Sequence, residues 1–265
     1  MRAQKGFGVA ILGLAALALL LGDGRLRAGT IVVPNANATT PGNSDNRFPF
    51  LVSGGMRYQQ VFDASQFSAF GGTAQLISEI DLRNGVFVNE AFSATISSID
   101  ISLSTTTAAP DGLSPTFAAN VGPDNTQVYG GSLTLSSSNA NGPGGTKVFD
   151  VAIKFQTPFL YNPTQGNLLL DVDNLSGANS HIGTDFFDAE NLTGDSVSRV
   201  YGAEGDPGAV SGTLDSIGLI TQFRFGPAGS PSVIPEPSSL ALLALGGIGL
   251  AGWQRWRKRH GPAKA

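Results

Sequence analysis

The chain has 265 residues, 41% hydrophobic and 14% charged, with 35 glycines, 15 prolines and no cysteine. So little charge and so many turn formers exclude a helical, charge-rich enzyme, and the missing cysteines exclude thiol catalysis, Cys-ligated metal and any disulfide framework. The formal net charge is −4, but residues 29–233 hold seven bases against eighteen acids, a net of −11, which excludes holding nucleic acid or another anionic polymer by bulk charge.

Arg2 and Lys5 open the chain, and Gly6 to Leu21 is an apolar run. Ala28 follows a polar, turn-prone stretch, so residues 1–28 have the layout of a secretory signal peptide. An uncleaved membrane anchor is the alternative, and Arg25 and Arg27 beside the expected cut keep it open.

Residues 29–57 are rich in Asn, Pro, Gly and Thr and read as an irregular segment leading into the domain, with at most one strand. From Tyr58 onward short apolar stretches recur between turn signals. Strands are predicted at 58–63, 76–83, 92–105, 128–136, 147–155, 167–174, 198–202 and 217–225. The apolar period of two supports them: Ile99, Ile101 and Leu103 share a face, as do Val151, Ile153 and Phe155, and Leu168, Leu170 and Val172. Helical spacing is confined to a turn near Ala64–Phe70, and the glycines of 142–146 read as a hairpin turn. Residues 58–225 are therefore expected to form an all-β ectodomain, an antiparallel β-sandwich or jelly roll, with 226–234 as a flexible linker.

The candidates for chemistry in this span are few. His181 is its single histidine, and a Ser–His181–Asp185 set lacks the G-x-S-x-G elbow, so an ordinary loop histidine is expected. Carboxylates cluster at Asp171 and Asp173, then at Asp185, Asp188, Glu190 and Asp195. Loop oxygens of this kind suit calcium, and paired acids suit a glycosidase, but neither the EF-hand order nor aromatic-flanked acids are present. A solvated acidic edge that blocks strand-to-strand association is the expected reading, with no metal, no cofactor and no enzymatic activity. A carbohydrate-binding module is the alternative; Tyr58, Tyr129, Tyr161 and Tyr201 gathered on one surface would favour it. A secreted hydrolase is the third reading and needs His181 or two close carboxylates in a pocket.

The C-terminus carries the most specific pattern. Pro235-Glu236-Pro237 is followed by an apolar stretch from Leu240 to Trp253 and then by Arg255, Arg257, Lys258 and Arg259. Proline fixes its own φ and holds the preceding residue extended, so the triplet is a stiff peptide bearing one carboxylate. The apolar stretch, begun at Ser238, is 16 residues, or ~24 Å of helix against a bilayer core of ~30 Å. Trp253 and Trp256 suit the interface and the basic block suits a stop-transfer signal facing the cytoplasm, so a short transmembrane helix is expected, with a buried core helix as the alternative.

This order resembles the PEP-CTERM sorting signal of Gram-negative bacteria, over Ile234 to His260. The resemblance implies that an exosortase-type membrane protease recognises Pro235, Glu236 and Pro237 and removes the tail. It implies an exported protein, anchored in the inner membrane as a precursor and then placed in the envelope or outside the cell. It also implies exopolysaccharide or biofilm association, and beside it a structural or adhesive ectodomain is the expected reading of the middle of the chain. The phrase FLYNPTQGNLLLDVDN, with SLSTT before it and SRVYG after it, is similar to an ectodomain that recurs among such proteins, and that likeness assigns no catalytic residue.

Overall fold

The computed structural model describes residues 29–181 and 186–227. In chain order the strands are β1 (Gly29–Val33), β2 (Ser44–Asn46), β3 (Met56–Phe62), β4 (Gln75–Leu82), β5 (Phe92–Thr106), β6 (Thr126–Ser137) and β7 (Val151–Tyr161). They continue as β8 (Asn167–Asn174), β9 (Phe187–Asn191), β10 (Val197–Tyr201), β11 (Thr213–Asp215), β12 (Ile217–Leu219) and β13 (Thr221–Pro227). All pair antiparallel, in sheets ordered β1-β13-β4-β7, β11-β10-β3-β8-β5-β6 and β12-β9-β2, and the all-β expectation holds. Among the described residues no helix is long and apolar enough to cross a membrane. The expected signal peptide and C-terminal helix lie outside them.

The alternating residues do what period two requires. Ile99, Ile101 and Leu103 from β5, Val151 and Ile153 from β7, and Leu168, Leu170 and Val172 from β8 all enter one core. The two larger sheets meet there: Phe62 of β3 packs edge-on against Phe223 of β13 at 5.0 Å, and Phe67 stands 5.2 Å from the same ring. Burying one such side chain contributes about 1.5–3 kcal/mol. Both faces of β8 are buried, because the excursion between β5 and β6 folds Leu113 and Phe117 over Leu169, Val61 and Val200.

Three expectations are corrected in detail. Residues 29–57 are no loose lead-in: they supply β1 and β2, and Val33, Phe50, Leu51 and Val52 are buried. The single strand expected at 217–225 is two, β12 and β13, divided at Ile220. Residues 226 and 227, expected in the linker, belong to β13, and the rest of 226–234 lies outside the described residues. The predicted turn at 64–70 is a 3-10 segment, N-capped by the Asp63 carboxylate, which accepts from Ser65 N–H at 2.8 Å.

A glutamine ties two sheets together. Gln60 on β3 donates to the Leu219 carbonyl at 2.9 Å and accepts from the Leu219 N–H at 2.8 Å, so its amide replaces a strand partner. Tyr58 donates its hydroxyl to the same Gln60 oxygen at 2.6 Å. Desolvation of that phenol pushes its pKa up, so it stays a donor.

Candidate functional site

Three of the acids singled out in the sequence, Asp171, Asp173 and Asp188, are taken up by arginines. Asp173 faces Arg57 across the β8–β3 pair, and Asp171 lies two residues before it on the same face. The Arg57 guanidinium reaches both, through Nη2 to Asp171 at 2.6 Å and through Nη1 to Asp173. Gln59 adds a donor to Asp171 at 3.1 Å, and the guanidinium lies 5.6 Å from the Phe117 ring centre. Burial still raises the Asp171 pKa, with Arg57 and Gln59 opposing it. This is a closed charge cluster under the loop that carries Phe117.

A second cluster sits where residues 35–42 wrap around β4 and β9. Arg83, just past β4, is 1% exposed, and its Nε donates to Asp188 of β9 at 2.7 Å. Its Nη2 donates to the carbonyls of Asn37 at 2.9 Å and Thr40 at 2.8 Å. Asp188 also accepts from the Gly42 N–H at 2.9 Å. Gly42 has no alternative here, because a Cβ would come within 1.9 Å of the Ala189 carbonyl oxygen. Burial raises the Asp188 pKa and Arg83 opposes it. The Phe149 ring covers the guanidinium face at 4.6 Å, and Glu190 accepts from Asn37 Nδ2 at 2.9 Å. The Asn-rich lead-in is thus a collar around a buried cation. Sequence reasoning missed Arg83, whose partner Asp188 is 105 residues away. The one signal available was scarcity, since seven bases among eighteen acids leave each arginine several acids to pair with.

Beside Arg83 lies a cleft of about 410 Å³ that Lys147 and Arg224 also border. A second cleft of about 210 Å³ is bordered by Arg199, Asp111 and Asp215. Arg199 is already paired to Asp215 at 2.7 Å and packed 4.7 Å from the Tyr201 ring centre.

The remaining candidates separate. Asp195 caps its own turn, accepting from Val197 N–H at 3.0 Å and Leu192 N–H at 3.2 Å. Burial lifts its pKa to about 6, helped by Glu190 and Asp111. His181 has a left-handed φ of 60° and its ring lies 5.7 Å from that of Phe92, while Asp185 is outside the described residues. Among the described residues no three His, Asp or Glu side chains gather as a metal would require. Tyr58 and Tyr161 are buried in the core, so the four tyrosines form no shared exposed platform. Pro235, Glu236 and Pro237, with Arg255, Arg257, Lys258 and Arg259, lie outside the described residues.

Residues 233–258 match the model of the PEP-CTERM protein-sorting motif. No curated protein and no solved structure matches the chain. The matched stretch contains the Pro-Glu-Pro triplet and all of the basic block but Arg259. The chain therefore carries a C-terminal signal for sorting by an exosortase-type membrane enzyme, the mark of a secreted, membrane-transiting protein.

Proposed function

We propose that the chain is a non-enzymatic, exported cargo. On this reading its ectodomain is a β-sandwich with a structural or adhesive role in the envelope or the extracellular matrix, alongside exopolysaccharide. The observation that carries the reading is the sorting motif at 233–258. The commitment of Asp171, Asp173 and Asp188 to arginines supports it, because those acids serve the fold rather than a substrate.

Strand order supports a sequence of events. β13 sits between β1 and β4, so β1 cannot join the β4–β7 pair until β13 is exported. The triplet begins eight residues after Pro227. Export of β13 completes the core through Phe223, and the triplet emerges next, held by the basic block until it is cut. The domain is then folded before it loses its anchor.

The test replaces Pro235, Glu236 and Pro237 together by alanine and follows the chain by fractionation and immunoblot. The full-length form is expected to accumulate in the membrane. Processing at the normal rate rejects the reading.

A further inference from the structure

The cleft beside Arg83 runs against the charge of the domain around it. Arg83, Lys147 and Arg224 border it, three of the seven bases between residues 29 and 233, and no Asp or Glu does. Two of the carboxylates that pair with these cations are withdrawn behind them, Asp188 at 2% and Asp81 at 0% exposed, while Glu79, which also pairs with Arg224, is 15% exposed and does not border the cleft. Bulk charge of −11 excludes an anionic polymer held by long-range attraction. It does not weigh against one anionic group held at contact, where fixed donors decide the energy.

We propose that this cleft binds a carboxylate carried on a hydroxylated ring, the chemistry of an acidic sugar. Arg83 supplies the first argument. Its Nε and Nη2 are satisfied by protein oxygens, but its buried Nη1 has no partner. A guanidinium nitrogen left so is costly; with Nε and Nη2 taken it offers a carboxylate one charge-assisted N–H bond, reached once the side chains over it give way. Lys147 supplies the second. Its ammonium touches only the Asn139 carbonyl at 3.4 Å and the Asn141 amide oxygen at 3.2 Å, and no carboxylate pairs with it among the described residues. The rest of the lining suits a sugar ring. Phe149 offers an apolar wall, Thr30 a hydroxyl, and Gln222, which donates its amide N–H to Asp81, keeps its oxygen as an acceptor. The volume of about 410 Å³ is within the usual range for small-molecule sites, roughly 300–1,000 Å³.

Two other arginines carry an unpartnered nitrogen and do not make such a site. Arg57 is enclosed by Asp171 and Asp173, and the cleft at Arg199 is bordered by Asp111 and Asp215, which would repel an anion. The inference concerns the folded domain alone and stands or falls independently of the sorting reading.

The experiment measures D-glucuronate and D-glucose binding to the full-length protein in detergent micelles, by saturation-transfer NMR titration. The two sugars differ only in the carboxylate. Glucuronate is expected to bind with a dissociation constant at least about tenfold lower than that of glucose. Lys147→Glu is expected to weaken glucuronate binding about tenfold or more, and Lys147→Arg to keep it. Glucuronate binding no better than glucose, or unchanged in Lys147→Glu, overturns the proposal. Should Lys147→Glu fail to fold by circular dichroism, the comparison of the two sugars on the unaltered chain decides.

Discussion

Arg57 and Arg83 both bring a guanidinium to aspartates, yet they end in different states. Arg57 meets two carboxylates, is 23% exposed along its side chain and closes its cluster with Gln59 and Phe117. Arg83 meets one carboxylate, is fully buried along its side chain and is otherwise held by backbone carbonyls, with one buried nitrogen unpartnered in a residue that borders a cleft. The first cluster takes acids out of use. The second holds a cation in place. In a domain with eighteen acids and seven bases, the informative residues are the bases without a full set of acidic partners.

The comparison breaks if the two sites cost the same to remove. Arg83→Met strands Asp188 in the interior and is expected to cost about 3–5 kcal/mol. Arg57→Met leaves Asp173 within reach of water and the buried Asp171 with Gln59 still donating to it, and is expected to cost about 1–3 kcal/mol. Denaturant unfolding of the two variants reads the difference directly; equal losses remove the distinction between an open and an interior pair.

A smaller effect sharpens the same contrast, because Asp195 is a half-buried carboxylate with no arginine. Its folded-state pKa of about 6 stands above the ordinary 3.8, so between those values the folded chain holds a proton that the unfolded chain releases. Stability from this group is therefore present at the acid end and lost as pH rises through that window. Asp195→Asn keeps an acceptor for only one of the Leu192 and Val197 N–H groups, a loss that does not vary with pH, and removes the titrating proton. Its stability relative to the unaltered chain is expected to climb from about pH 4 to pH 6. A difference that stays flat across that window rejects the assignment.

Legibility followed the range of the interactions. Strands with clean alternation, such as 92–105 and 167–174, were readable because period two needs only neighbours along the chain. The strand expected at 147–155 runs instead from Val151 to Tyr161, since the apolar Val148 and Phe149 precede it without joining it. β2, β9 and β11 were missed: they are short and polar, and they exist through their partners rather than their own pattern. β9 contains Asp188 and Glu190, which read as a solvated acidic loop until Arg83 and Asn37 are brought against them. The sorting motif was readable for the opposite reason. Everything that defines it lies within 233–258, so no tertiary contact is needed to see it.

That contiguity is the central claim of the account, and it can be measured by transplantation. Residues 228–265 are fused to an unrelated exported domain and expressed in the native cell, with the unaltered chain followed in parallel. If the terminal segment carries the sorting instruction and the β domain is its cargo, the fusion is trimmed to the same extent as the natural chain. A fusion that stays full-length in the membrane while the natural chain is processed contradicts the account and assigns the instruction to the folded domain.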